Sequence, residues 1–153
     1  MRIRNPAERD RIFSAQRMEG SKSREEIEIN TGGEFGYFLR QVEEKQLRQE
    51  LDSFLTELEK QGQRLIANCT LEEVIRYRDM VRDFLRTTLP RLYRLREEVG
   101  FDRRGRHRIY AVVETIDRRL EELVQAFLHG QQQSLDLLAR LGEIRGLLLD
   151  LYA

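Results

Sequence analysis

SLDLLARLGEIRGLLLDLY, from Ser134 to Tyr152, is the stretch whose reading decides the fold. At 100° per residue, Leu137, Leu141, Ile144, Leu148 and Leu151 recur at alternating steps of four and three and line one side of a helix. Leu135, Ala139, Gly142, Gly146 and Leu149 form a second row on roughly the opposite side, with the smallest residues in its middle. Asp136, Glu143 and Asp150 leave only a narrow acidic strip for water. The pattern predicts a central helix clasped on both flanks. Glycine inside a helix costs roughly 1 kcal/mol relative to alanine, so two of them four residues apart imply a close neighbouring backbone. Ala139, Gly142 and Gly146 are therefore the candidate contact face, towards either an internal helix or a second chain.

Arg140, Glu143, Arg145 and Asp150 interrupt this stretch, which never reaches the about 18 uninterrupted apolar residues of a membrane span. No membrane association is expected. The whole chain, 153 residues, has the length of one ordinary domain and can bury a core without metals or disulfides. Its 27 basic and 27 acidic residues cancel, so any binding to nucleic acid must come from a local patch rather than from bulk charge. Cys69 is the only cysteine, which rules out an internal disulfide and any CxxC metal motif. The start, MRIRNPAERD, lacks the apolar core of a signal peptide, and a cytoplasmic location is expected.

Upstream of the deciding stretch the rhythm is equally regular in one further segment. Ile109, Val113, Ile116, Leu120, Leu123 and Phe127 alternate by four and three and predict a third helix ending at Gly130. A second helix is predicted from Leu71 to about Val99, with Val74, Tyr77, Val81, Phe84, Leu85, Leu92 and Leu95 inward. Thr70-Leu71-Glu72-Glu73 before it reads as a capping box, and Pro90 inside it predicts a kink near Arg86 to Leu89. Its many arginines, from Arg76 to Arg96, are nearly offset by carboxylates and read as a solvated face of weak ion pairs. Before it, Phe35, Phe38, Val42, Leu47, Leu51, Phe54, Leu58 and Leu65 approach a 3.5-residue repeat and predict a long first helix, with Gly62 as its weak point. Residues 1–33 show no sustained period and are expected to form a mobile tail. Short connections make neighbouring helices antiparallel, so the expected architecture is all-α: an up-and-down four-helix bundle over residues 34–153 with long helices, the second kinked at Pro90, behind an N-terminal tail.

The segments QGQRL (from Gln61), YRDMVRDFL (from Tyr77), RGRHR (from Arg104), VETID (from Val113) and LDLLARLGEIRGLLLDLY (from Leu135) resemble the YaaR-like family of small bacterial proteins. The likeness spans about Phe35 to the C-terminus, and its last segment, with its two glycines, is the most specific. The resemblance implies a cytoplasmic bacterial helical bundle and brings no assigned activity. The segment ahead of Gly33 lies outside it.

The residues offer little to an enzyme. HExxH, GxSxG, a phosphate loop and a dinucleotide fingerprint are all absent. His107 and His129 are the only histidines, and the positions three before them hold Arg104 and Ala126 rather than the glutamates of a diiron bundle. His129 reads as a cap of the third helix, and Cys69 as a small packing residue. No catalytic residue, cofactor or metal is expected. Arg103, Arg104, Arg106 and Arg108 crowd the connection before the third helix, where Gly105 and a following helix N-terminus suggest a cradle for an anion or nucleic acid, with Phe101 and Tyr110 beside it for stacking. The expectation is a non-enzymatic interaction or scaffold protein with a protein partner or a second copy of itself. The alternative is an anion- or nucleic-acid-binding module at those four arginines.

Overall fold

A computed structural model describes the backbone of residues 6–98, 100, 103–130 and 134–153, and the side chains of the same ranges except 6–32, 134 and 135. Four helices account for almost all of it: α1 (Pro6–Asn68), α2 (Leu71–Glu98), α3 (Arg103–Leu128) and α4 (Ser134–Leu151). The described residues contain no strand. Helical backbone begins at Pro6, within the stretch expected as a tail; residues 1–5 and the side chains up to residue 32 lie outside the described set.

Packing divides the chain after Val42, beyond the expected boundary at Gly33. In the first unit, Phe35, Tyr37, Phe38, Leu39 and Val42 are exposed, and the Gln41 amide donates to the Tyr37 hydroxyl at 2.8 Å. The spacing placed Phe35, Phe38 and Val42 in the row that lines the bundle. The step from Val42 to Leu47 is five, however, and a step of five leaves the three-and-four rhythm. Burial starts at Leu47 and continues through Leu51, Leu55, Leu58 and Leu65.

The second unit, residues 43–153, is the bundle. Phe54 of α1 stacks on Phe84 of α2 with ring centroids 4.0 Å apart, and Glu50 accepts from Arg91 at 2.6 Å. Arg82 of α2 reaches Asp117 and Glu121 of α3, Arg119 of α3 reaches Glu143 of α4 at 2.8 Å, and Arg145 of α4 returns to Glu59 of α1 at 3.5 Å. Each helix thus lies beside the next and the last beside the first, the order expected of an up-and-down bundle. Leu65, Val74, Val81, Ile116, Leu120, Leu123, Ile144 and Leu148 fill the centre with no exposed surface. Full burial of one such side chain stabilises by roughly 1.5–3 kcal/mol, whereas an exposed ion pair contributes about 0–1. The core therefore holds the fold, and the charges decorate its seams.

The helix ends follow local rules with two departures. Gly100 (φ 81°) and Gly130 (φ 74°) stop α2 and α3 in the left-handed conformation that glycine adopts freely. Cys69 ends α1 with φ 48°, donating from its amide to the Leu65 carbonyl at 2.8 Å, although its side chain makes that conformation costly. The Thr70 hydroxyl accepts from the Glu73 amide at 3.3 Å, half of the expected capping box. The other half is diverted: the Glu73 carboxylate accepts instead from the buried Gln61 amide of α1, so that it ties two helices together. α2 continues through Pro90 as one helix. Ahead of the proline, the Thr87 and Thr88 hydroxyls donate to the carbonyls of Asp83 and Phe84, a local arrangement associated with helix bending. Thr88 is buried, and its hydroxyl also accepts from Tyr152 at 2.7 Å across the core.

Candidate functional site

On α4 the two rows of the deciding stretch have opposite fates. Leu137, Leu141, Ile144, Leu148 and Leu151 are buried, as their spacing predicts. On the other row, Ala139 and Gly142 are exposed and Gly146 is half-buried, and a Cβ added at either glycine would meet nothing within 4 Å. Leu138 and Leu149, beside them, are 55% and 46% exposed. The expected internal neighbour is therefore absent among the described residues, and the expectation of a helix clasped within the chain on both flanks is corrected. A bundle of four helices needs only one inward stripe from each, so the second stripe of α4 is surplus to the fold.

The glycine that a neighbour does approach is Gly62. A Cβ there would stand 3.3 Å from Leu141 Cδ1 and 3.8 Å from Tyr77 Cε2. Its signal was present in the sequence, four residues after Leu58 and three before Leu65 on the inward row, but the position reads as a weak point only if glycine is judged by helix propensity alone. Close approach here joins α1 to α4, and immediately outside it a groove of about 230 Å³ opens between them. Leu55, Leu58, Leu138 and Leu141 line it with Gly62 and Gly142, and Glu59, Gln63 and Arg145 stand among its polar groups. Tyr77 also contributes to the lining; burial pushes the pKa of its phenol up, while the positive charge of Arg145 acts in the opposite direction. Sequence spacing gave Tyr77 only as an inward residue, since no periodicity shows which helices will leave a gap over it.

The four arginines stand elsewhere and in a different form from that expected. α3 starts at Arg103, so Arg103, Arg104, Arg106 and Arg108 occupy its first two turns rather than a connecting loop, and Gly105 is helical. At 100° per residue these positions spread around the helix and do not converge on one point. All four are exposed, and Arg106 pairs with Glu97 of α2 at 3.4 Å. The turn-shaped cradle is therefore not formed. The error came from the absence of apolar residues before Ile109, which left the first two turns without a periodic mark. Tyr110 is exposed and lies against Tyr93 with centroids 6.0 Å apart; Phe101 is outside the described residues.

His129 Nδ1 lies 2.8 Å from the Gln125 carbonyl at the end of α3, and Cys69 Sγ donates to the Ile66 carbonyl at 3.1 Å. Among the described residues, no group of three or more His, Cys, Asp or Glu side chains is placed to hold a metal ion. No helix there is long and apolar enough to cross a membrane.

A family model described as a protein of unknown function, DUF327, matches residues 10–152. The chain belongs to that family. The match begins well ahead of Gly33, so residues 10–33 of the leading segment, which the resemblance left out, are part of the DUF327 sequence pattern. Among its relatives, an uncharacterized protein YaaR of Bacillus subtilis (strain 168) is 29% identical over 103 residues, covering 67% of this chain and 70% of the relative. A crystal structure of uncharacterized protein BH1478 from Bacillus halodurans superposes with a TM-score of 0.68 at 31% identity, covering 77% of this chain and 97% of the other. The BH1478 structure therefore has a fold similar to this bundle.

Proposed function

We propose that this DUF327 chain is a non-enzymatic interaction protein whose outward α4 face receives a second copy of the chain or a helix of a protein partner. The observation that carries the reading is the uncovered row Leu138, Ala139, Gly142, Gly146 and Leu149: apolar or small along the helix, and open where a Cβ would otherwise stand. Small residues at one-turn spacing let two helix backbones approach closely, and the flanking leucines supply apolar area at the edges of such a contact. Gly142→Leu and Gly146→Leu test it. Because each new side chain points into open space, the bundle remains folded; sedimentation or mass photometry then reads association alone. Loss of a dimer, or of a partner bound by the original chain, supports the proposal. An unchanged assembly that buries this face, or a monomer with no partner in either form, ends it.

A second reading keeps Arg103, Arg104, Arg106 and Arg108 as a surface for polyanions. One feature favours it: the first turn of α3 carries no acidic residue and several cations, the reverse of what a helix N-terminus attracts. Salt-sensitive binding to a polyanion that is lost when all four become serine is its expected outcome. Indifference to that change removes it.

A further inference from the structure

One polar atom at the α1–α4 groove has no hydrogen-bond partner among the described residues. Tyr77 is only 2% exposed and lines the groove, yet among the described residues its hydroxyl makes no hydrogen bond. The buried side-chain polar atom left without a partner among the described residues is Arg119 Nε, so the Tyr77 hydroxyl reaches the open groove and is satisfied there by water or by a ligand. Burial keeps this phenol protonated, so it presents a donor, and Arg145, whose charge is felt at the hydroxyl, supplies a second donor in the same groove. Among the described residues Arg145 is held by the 3.5 Å pair with Glu59, in which both side chains are about half exposed, and such a pair exchanges easily. Between these polar groups lie Leu55, Leu58 and Leu141, and the bare Cα of Gly142 leaves one wall open. The volume of about 230 Å³ exceeds the roughly 150 Å³ that admits a benzene ring and falls below the roughly 300–1,000 Å³ of pockets for larger ligands.

We propose that this groove binds a small monocarboxylate with a one-ring or short-chain apolar body, its carboxylate accepting from the Tyr77 hydroxyl and replacing Glu59 at Arg145 while the body lies on Leu55, Leu58 and Leu141. Leu138 and Gly142 border both this groove and the outer row of α4, so Tyr77 and Arg145, which lie outside that row, carry the test of the groove. Titration of the full chain with 3-phenylpropanoate, followed by calorimetry, is the test, with 3-phenylpropanamide and acetate as controls for the charge and the apolar body. The acid binds, and the amide and acetate each bind about tenfold or more weakly. Tyr77→Phe and Arg145→Gln each weaken the acid by a similar factor; Arg145→Gln changes an exposed side chain and keeps the test valid if Tyr77→Phe disturbs the core. Equal affinity for acid and amide, no change in the Arg145→Gln chain, or no binding at millimolar acid overturns the proposal. Gly146→Leu, which does not line the groove, retains the binding even if it abolishes self-association, so the two proposals fail separately.

Discussion

Gly62 on α1 and Gly142 on α4 border the same groove, but they leave out a Cβ for opposite reasons. At Gly62 the space is taken, with Leu141 of the facing helix at 3.3 Å from where the atom would be. At Gly142 the space is empty to beyond 4 Å. The first glycine is a term in the packing of the bundle; the second contributes nothing to the folded chain and costs it helix propensity. A glycine in a helix thus records that something must come close only when the position also lies on the inward stripe. Where it lies on the outward stripe, the reason for it has to be sought outside the chain.

Four measurements sharpen or break this contrast. The largest effect is expected at the inward row of α4 itself: Ile144→Ala, at a site with no exposed surface, lowers unfolding free energy by about 2–5 kcal/mol in urea titration, whereas Leu149→Ala on the outer row changes it by under about 0.5 kcal/mol. Next comes Gly62→Leu, which overpacks the α1–α4 seam and costs about 1–3 kcal/mol; a neutral result there means the seam is slack and the contrast fails. Gly142→Ala goes the other way and raises stability by about 1 kcal/mol, because it restores helix propensity without meeting a neighbour. The smallest is a pH effect on the bundle as a whole. The Tyr77 and Tyr152 phenols are both pushed up by burial, so the folded chain keeps protons that the unfolded chain releases near pH 10. Stability is then level below that pH and falls above it, and Tyr152→Phe makes the fall measurably shallower in alkaline melts.

The sequence carried the inward rows of α2, α3 and α4 well, because burial on one side of a helix leaves a three-and-four rhythm that needs no knowledge of the partner. It carried the terminus that glycine marks at Gly130 for the same local reason. It was silent wherever the answer depends on which helix lies alongside. Glu73 looks like the second member of a capping box and is instead held by Gln61, twelve residues upstream on another helix. Thr88 reads as a polar residue near a proline and proves to be the core partner of Tyr152. The arginine run hid two turns of α3 because guanidinium groups leave no apolar stripe, and Phe35, Phe38 and Val42 were joined to a row that begins only at Leu47. Of the candidate sites, the small-residue row was legible as a pattern but its neighbour was not. The groove over Tyr77 could not be read at all, since a gap between helices belongs to no single one of them.

The junction between α1 and α2 consists of two residues, Cys69 and Thr70, with the left-handed turn on the first and the cap of the next helix on the second. It leaves no slack, and therefore it sets the rotational phase of one helix against the other. One residue inserted within the first turn of α2, ahead of Glu73, would turn the rest of that helix by about 100° about its own axis, carrying Phe84 away from Phe54 and Glu73 away from Gln61 together. The register of the turn that follows this hairpin is thus fixed by contacts made along the whole length of both helices.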